Sequence, residues 1–354
     1  MDLKNRIILE EYRKNRGDFC RMGEIVGRML DDIVAESGVR TLSTQHRVKS
    51  EKSLAGKLVR AEGWYNQLSD LMDLLGARVI CYFSDDVDRV GRLIEQRFVI
   101  DREYSSDKRE LIDAASFGYL SLHYICSLPP SNEYPAELCR WRFEIQVRTC
   151  LQHVWSDIEH DLGYKSEFGV PRPVRRGFAR ISALLELADD EFVRVRDLME
   201  GYTESVRTGI IEDTADDVPI DAVSLGEYVR HNKPMRAFLD RLAQECGVQI
   251  EECDPAAYVA QLEWLGVTTV GGLSKLLSAN SLMALRMARN SLAATDLDIV
   301  SSSSGLRYLC HAEVCRRGMD EEEVADFLSL SLRDPARART RAAYLLRTYK
   351  RLED

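Results

Sequence analysis

The sequence predicts an α/β fold in which helices flank a mixed sheet, followed by an all-α region. Residues 141–149 (W-R-F-E-I-Q-V-R-T) alternate strictly between apolar and polar side chains, which is the pattern of a half-buried strand. Residues 119–126 alternate in the same way, and residues 77–83 form an apolar run of β-branched and aromatic type. From residue 222 onward apolar side chains recur at helical spacing, and we expect no strand there.

Length and composition are those of a soluble globular protein of about two domains. The chain has 354 residues, of which 45% are hydrophobic and 30% charged. No apolar run approaches the roughly 18 residues of a membrane span, and the N-terminus leads into a charged amphipathic segment. Nine cysteines without CxxC spacing are typical of a reducing compartment. We therefore expect a cytoplasmic protein without a membrane partner.

The net charge of −10 argues against nucleic-acid binding over the whole surface, because such binding needs clustered Lys and Arg. A basic run nevertheless occupies residues 47–60, after N-terminal helices predicted over residues 1–38 as one helix broken near Gly17 or as two. The Gly56-Lys57 pair lacks the earlier glycine of a P-loop. Any phosphate bound here would be held mainly by side-chain charge.

An α/β core follows the basic run. Asp73 stands just before the strand at 77–83, and Asp85-Asp86 open a helix with acids in its first turn. A short strand at 98–100 and a polar loop over 101–117 lead to the strand at 119–126. The order strand, helix, strand, loop, strand, strand is that of an α/β unit.

The two alternating strands each present a polar face. One face carries Arg142, Glu144, Gln146 and Arg148, and the other carries Tyr119, Ser121 and His123. If both faces point the same way, they form a cleft floor with an aromatic platform, a hydroxyl, an imidazole, a carboxylate, an amide and guanidinium groups. Such a combination is typical of a nucleotide site.

The second half of the chain is predicted to be helical. A helix with an apolar stripe follows residue 149, and its histidines are interpreted as packing residues instead of metal ligands. Residues 208–221 are acidic and poor in apolar side chains, which predicts a linker before a helical domain at 222–354. Helices are predicted there at 234–246, 255–265, 270–278, 281–293, 305–317, 320–332 and 335–352.

Five blocks in order resemble the synthetase domain of the RelA/SpoT alarmone synthetases: R-V-K-S, D-L-L-G-A-R, G-Y-L-S-L-H-Y, E-I-Q-V-R-T and H-V-W-S-D-I-E-H-D. The resemblance implies a nucleotidyltransferase-like fold over residues 1–207, with a catalytic core at 39–205. It implies a GTP pyrophosphokinase that moves the β,γ-pyrophosphate of ATP to the 3′-hydroxyl of GTP or GDP. The products would be AMP and (p)ppGpp, the alarmone of the stringent response. The chain resembles a small, synthetase-only member with a C-terminal helical extension of unknown role.

The resemblance also assigns roles to individual residues. ATP would be bound by Arg47, Lys49, Ser53, Lys57 and Arg78. Asp73 and Glu144 would be the catalytic residues and would hold Mg²⁺, with Glu144 either positioning the metal or activating the 3′-hydroxyl. The acceptor nucleotide would be bound by Lys108, Tyr119, Ser121, His123, Gln146 and Arg148. Leu120 departs from the polar or basic residue common in the family, and by alternation it points away from the Tyr119 face.

Two other functions remain open on the sequence. A toxic branch that resembles the same family pyrophosphorylates the 3′ ends of tRNA or makes adenosine alarmones, and the basic run at 172–180 keeps this reading open. A non-catalytic nucleotide-sensing module is the other alternative, which the presence of both carboxylates disfavours. Resemblance to small synthetases also implies a homo-oligomer.

Overall fold

The computed structural model describes residues 3–61, 63–107, 109, 121–163, 171–332 and 334–353. Contacts divide the chain into two compact units, Met1–Arg196 and Asp197–Asp354. Each unit has its own buried apolar core.

The first unit is built on a mixed sheet. Its elements are α1 (Leu3–Ser37), β1 (Thr41–Val48), α2 (Glu51–Arg60), β2 (Leu75–Cys81), α3 (Ser84–Arg97), β3 (Val99–Ile100), β4 (Ser106–Asp107), β5 (Leu122–Ser127), β6 (Phe143–Thr149), α4 (Cys150–Gly163) and α5 (Arg172–Ile211), whose last turns belong to the second unit. The strand order is β1-β2-β6-β5-β3, with β4 also paired to β5. Strands β2 and β6 are parallel, and the other pairs are antiparallel. The predicted mixed sheet flanked by helices is confirmed.

Register places the polar side chains of neighbouring strands on one face of the sheet. Gln146 on β6 lies opposite His123 on β5 and opposite Arg78 on β2. On the other face Phe143 and Ile145 are buried, as alternation requires. The two polar faces predicted from the sequence therefore point the same way.

Strand β1 was not predicted. Its sequence, T-L-S-T-Q-H-R-V, is polar, and its burial pattern shows no fully buried residue, because β1 is an edge strand of the sheet. It pairs with β2 over seven residues of its length. The basic run that begins at Arg47 therefore starts inside a strand and not in a loop.

Helix α1 is continuous through Gly17, where the sequence predicted a break. A Cβ atom at Gly17 would have nothing within 4 Å, so this glycine reflects no close contact. Gly23 and Gly27, by contrast, make room for the His46 ring of β1. A Cβ at Gly27 would lie 2.7 Å from His46 Nδ1. Helix α1 and strand β1 therefore approach through one histidine seated over two glycines.

The second unit is mainly helical. Its elements are α6 (Ala222–His231), α7 (Lys233–Cys246), β7 (Gln249–Glu251), α8 (Val259–Trp264), α9 (Val270–Leu292), β8 (Ile299–Ser301), α10 (Ser303–Arg316), α11 (Glu321–Ser329) and α12 (Pro335–Glu353). The prediction omitted α6 and divided α9 in two. It also omitted the short parallel pair β7–β8, since strands of three residues are too short for a period to show. None of the described helices is long and apolar enough to cross a membrane.

Residues 208–221 pack into the second unit and do not form the linker that the sequence predicts. Ile210 and Ala215 are buried in the core of the second unit. The acid Asp221 caps α6, accepting a hydrogen bond from Ser224 N at 2.7 Å, and it accepts another from Tyr202 Oη at 2.6 Å. The division between units lies earlier, after Arg196. The low apolar content misled the prediction, because the segment is held by Ile210 and Ala215 in the core, by Val218 and Ile220 packed against it, and by the hydrogen bonds of Asp221.

The glycines of α1 give a matched test of this packing. Gly17→Ala should raise the free energy of unfolding by about 0.5–1 kcal/mol, because alanine is the better helix former at an open position. Gly27→Ala should lower it by about 1 kcal/mol, because displacing the His46 ring costs more than the helix gains. Urea unfolding of both variants measures the difference. A Gly27→Ala protein as stable as Gly17→Ala would contradict the seating of His46.

Candidate functional site

Two adjoining cavities form a cleft above the polar face of the sheet. Their volumes are about 800 and 1000 Å³, and they share Arg47, Lys49, Asp73 and His160. The first is lined also by Thr44, Gln45, His46, Gly76, Ala77, Arg78, Glu144 and Gln146. The second is lined also by Lys52, Ser53, Gly56, Lys57, Arg60 and Ala61. The sheet forms the floor of the cleft and α2 forms one wall.

Asp73 lies between two lysines in this cleft. Lys49 Nζ is 2.7 Å from Asp73 Oδ2, and Lys57 Nζ is 2.8 Å from Asp73 Oδ1. Burial favours a higher pKa for Asp73, but hydrogen bonds and charge from both lysines outweigh it and hold the pKa below its ordinary value. Asp73 is therefore ionised at neutral pH.

Local structure places the three side chains. Lys49 follows the last residue of β1, and its backbone N donates to Leu74 O at 2.8 Å, beside Asp73. The chain then turns into α2, where the Ser50 side chain caps the helix by accepting a hydrogen bond from Ser53 N. Lys57 lies four residues after Ser53, on the same helical face. The end of β1 and the capped helix α2 therefore place the ammonium groups of Lys49 and Lys57 beside the Asp73 carboxylate.

Glu144 is the second carboxylate of the cleft. His123 Nδ1 lies 2.8 Å from Glu144 Oε1, and Gln146 Nε2 donates to Glu144 Oε2 at 3.0 Å. Burial and the charge of Asp73 favour a higher pKa for Glu144, but the His123 and Gln146 contacts outweigh them and lower the pKa. Both carboxylates of the cleft are thus ionised at neutral pH.

Most of the residues assigned from the sequence meet in this cleft. The lining residues include Arg47, Lys49, Ser53, Lys57, Asp73, Arg78, Glu144 and Gln146. His123 contacts Glu144 and lines a neighbouring cavity of about 490 Å³ together with Asp107 and Arg109. Ser121 is fully buried just before β5. Lys108 and Tyr119 lie outside the described residues.

Arg148 is buried, although the sequence predicted it on the open polar face that binds the acceptor nucleotide. Alternation puts it on the polar face with Glu144 and Gln146, yet it is 1% exposed and does not line the cleft. The chain enters α4 at Cys150, and the Arg148 charge, after burial, contributes to lowering the pKa of His153 on that helix. The end of β6 is therefore covered where the sequence pattern predicts an open face.

Four polar lining residues outside the basic run were not predicted from the sequence: Thr44, Gln45, His46 and His160. Three belong to β1, and the strand itself was not predicted. A signal did exist, because Gln45 and Arg47 share one face of a strand at a spacing of two. His160 on α4 borders both cavities, and only its position in space distinguishes it from a packing histidine.

The carboxylates of the cleft fit a metal ion that also binds phosphate. Asp73 and Glu144 are the carboxylates that line the cleft, and within the described ranges no group of three or more His, Cys, Asp or Glu side chains is arranged to hold a metal. Mg²⁺ is commonly held by one or two carboxylates with substrate phosphates and water completing its six ligands. Two ionised carboxylates at a cationic cleft meet that requirement.

Comparison with known proteins agrees with this geometry. Residues 46–168 match the family model described as a region found in RelA / SpoT proteins. The chain is 30% identical over 154 residues to GTP pyrophosphokinase YjbM of Bacillus subtilis (strain 168), covering 42% of this chain and 69% of that protein. The chain belongs to the RelA/SpoT family. The match spans nearly the whole cleft, from His46 to α4.

Other similarities concern the same part of this RelA/SpoT chain. It is 27% identical over 160 residues to GTP pyrophosphokinase YwaC of the same organism, covering 43% of this chain and 72% of the relative. Among solved structures, a GTP pyrophosphokinase family protein from Streptococcus pneumoniae aligns with a TM-score of 0.46 and 24% identity. That alignment covers 57% of this chain and 97% of the other.

The lowered pKa of Asp73 makes its stabilising effect depend on pH. Asp73→Asn should lower the free energy of unfolding by about 1–2 kcal/mol at pH 7, because two half-buried lysines lose their counter-charge. The wild-type contribution is present above the unfolded pKa of about 4 and is lost as pH falls through the lower folded value. The difference between the two proteins should therefore shrink towards about pH 3.

Urea unfolding at several pH values measures this difference. Asp32→Asn, at an exposed position on α1, is the matched control and should show no pH-dependent difference from the wild type. A cost of Asp73→Asn that stays constant down to pH 3 would contradict the ion-pair account.

Proposed function

We propose that the chain is a GTP pyrophosphokinase that transfers the β,γ-pyrophosphate of ATP to the 3′-hydroxyl of GTP or GDP in the cytoplasm. The observation that carries this proposal is the cleft itself, in which Asp73 lies between Lys49 and Lys57 beside the Glu144–His123 pair. Membership of the RelA/SpoT family and the activity in the names of its relatives support the same reaction.

The ATP half of the proposal rests on charge. Six cationic side chains line the two cavities, against the two carboxylates, in a protein of net charge −10: Arg47, Lys49, Lys52, Lys57, Arg78 and Arg60. A cleft of one sign attracts and holds a polyanion such as the triphosphate of ATP. Lys49 and Lys57 would each exchange part of their contact with Asp73 for phosphate oxygens. Arg47 and Arg78 lie on adjacent strands, and we assign them to stacking on the adenine ring.

Mg²⁺ would be held by Asp73 and Glu144 together with the phosphates, and when bound it supplies neutralising charge to the phosphate oxygens. Attack on a phosphorus atom surrounded by negative oxygens needs such neutralisation and little covalent help. The ammonium groups of Lys49 and Lys57 contribute to the same neutralisation.

Glu144 has a narrower proposed role than the family resemblance gave it. A general base works best with a pKa near the working pH, whereas the contacts of His123 and Gln146 lower the pKa of Glu144. A carboxylate of lowered pKa is a weak base and a good ligand for a cation. We therefore assign Glu144 to holding positive charge at the reacting phosphate, with His123 fixing the orientation of its carboxylate.

The acceptor half rests on His123, Gln146 and their neighbours. His123 borders the cavity that contains Asp107 and Arg109, on the side of β5 away from the ATP half. We assign this side to the guanine nucleotide, with Tyr119 and Lys108 as the remaining proposed contacts, because Ser121 is fully buried. Arg148, being buried, is assigned to supporting β6 instead of touching the nucleotide.

Charge-removing substitutions test the proposal. Asp73→Asn and Glu144→Gln keep the shape of each side chain and remove its charge, so each should lower transfer from ATP to GTP by at least about a hundredfold. The measurement is production of AMP and of the 3′-pyrophosphorylated nucleotide. Circular dichroism checks that each variant is folded.

Exposed carboxylates away from the cleft supply the controls. Asp32→Asn on α1 and Glu133→Gln in the loop before β6 make the same chemical changes at exposed positions and should retain wild-type turnover. Wild-type turnover in folded Asp73→Asn or Glu144→Gln protein would remove that residue from the mechanism.

A further inference from the structure

Helix α12 is strongly basic in a protein that is acidic as a whole. Residues 335–353 contain six basic side chains and one acid, whereas the whole chain has a net charge of −10. The six basic side chains are all exposed: Arg337, Arg339, Arg341, Arg347, Lys350 and Arg351. The helix lies outside residues 46–168, which match the RelA/SpoT model, so its charge is a feature of this chain and not of the matched region.

The packing of α12 fixes which part of the helix faces solvent. Its buried residues recur at steps of four, three and three: Ala338, Ala342, Leu345 and Thr348. The first three belong to the apolar core of the second unit, and α12 packs there against α11, α10 and α9. The remaining surface of α12 therefore stays exposed and cannot turn inward without unpacking that core.

The exposed side carries a row of four arginines around one tyrosine, which we call the basic row. Steps of four, three, three and four residues separate its members, over about 21 Å of helix: Arg337, Arg341, Tyr344, Arg347 and Arg351. Arg341 Cζ lies 5.7 Å from the centroid of the Tyr344 ring, which is 46% exposed. The basic row therefore combines cations with an aromatic ring that is open to a ligand.

No acid neutralises the basic row. Within the described part of the second unit, no carboxylate forms an ion pair with a basic side chain of α12, although the neighbouring helix α11 is acidic in its first turn. Like charges four residues apart on a helix repel, and both Arg337 with Arg341 and Arg347 with Arg351 have this spacing. A bound polyanion would relieve that repulsion.

Helix α9 adds a further cation at the C-terminal end of the basic row. Arg286 is exposed, and its Nη1 donates a hydrogen bond to Leu352 O at 3.0 Å. Leu352 follows Arg351 directly in the sequence. The positive surface therefore continues from α12 onto α9.

The side chains of the basic row indicate a single-stranded nucleic acid as the partner. Clustered cations are what a chain of phosphates requires. The bases of a single strand are free to stack on aromatic rings and on arginine, whereas the bases of a duplex stack on one another. A membrane surface fits less well, because helices that lie on membranes also insert a row of apolar side chains. Among the described residues of α12, Tyr344 is the only large apolar or aromatic side chain that is exposed.

We propose that the basic row of α12, together with Arg286 of α9, binds a single-stranded nucleic acid. The arginines contact its phosphates, and Tyr344 with Arg341 stacks on a base. The strand is bound at this surface and is not modified there. The inference therefore goes beyond the proposed reaction and does not depend on it.

Fluorescence anisotropy with the full-length chain tests the proposal. A labelled single strand of about 20 nucleotides, made once as RNA and once as DNA, is titrated with protein at several salt concentrations. The wild-type protein should bind at least one of the two strands. Arg341→Gln with Arg351→Gln should raise Kd roughly tenfold or more. The same change should lower the slope of log Kd against log salt concentration by about 1.4, because two phosphate contacts are lost.

Matched variants separate a specific surface from a general effect of charge. Arg21→Gln with Arg28→Gln removes the same charge at exposed positions of α1 and should leave both Kd and the salt slope unchanged. Tyr344→Ala should raise Kd roughly fivefold or more without changing the salt slope, because it removes a stacking ring and no charge. Tyr344→Phe keeps the ring and should bind as the wild type does. Circular dichroism checks that each variant is folded.

Two results would overturn the surface. One is a wild-type protein that binds neither strand at about 0.1 M salt. The other is a strand that the α12 variants bind as tightly as the wild type, since binding would then lie elsewhere, the cationic cleft included. Tighter binding to the duplex of the same sequence, or to vesicles of phosphatidylcholine with phosphatidylserine, would overturn the assignment of the partner. Weaker binding by both the arginine and the Tyr344→Ala variants, with unchanged binding by the matched variants, supports the proposal.

Discussion

The ion pairs of Asp73 with Lys49 and Lys57 hold together the parts of the molecule that make the site. Asp73 precedes β2, Lys49 follows β1, and Lys57 belongs to α2, so a single carboxylate joins three elements. Helix α1 supports the same region, because Tyr12 Oη donates to Lys49 O and Asn5 Nδ2 donates to Leu58 O. The cleft keeps its shape because its wall and its floor are tied at this point.

These ion pairs also explain how a cationic cleft can exist without a bound polyanion. Two lysines held near each other repel, and a half-buried ammonium group without a partner is costly. Asp73 supplies the counter-charge in the free protein. A triphosphate, with its metal, can take over that role, so that binding exchanges one set of ionic contacts for another. Because the two lysines are already half-buried in the free protein, binding adds little further cost of desolvating them.

The sequence could predict the core of the sheet because its strands bury one face. The alternation at 141–149 correctly placed Glu144 and Gln146 on the polar side, and register then brought His123 beside them. It could not predict β1, since an edge strand with both faces partly exposed has no apolar period. Arg148 shows what alternation cannot predict even within a correctly predicted strand. A period of two residues gives the face on which a side chain lies, but not whether a following helix covers that side chain.

Other parts of the site depend on contacts that no local pattern contains. His160 reaches the cleft only because α4 packs beside the strands, and His46 reaches it only because two glycines of α1 leave room.

In the second unit the acidic segment at 208–221 packs through Ile210 and Ala215, although its composition is that of a linker. Side chains fixed by long-range packing were missed, and side chains fixed by a strand period were found.

The identity of the acceptor tests the central claim most directly. Purified protein is incubated with Mg²⁺ and ATP labelled at its β-phosphate, together with GTP, GDP, ATP alone or bulk tRNA, and the labelled product is identified. We expect label to pass to GTP or GDP and AMP to form in equal amount. Labelling of tRNA or of adenosine nucleotides in preference to guanosine nucleotides would contradict this expectation, as would the absence of transfer to every acceptor.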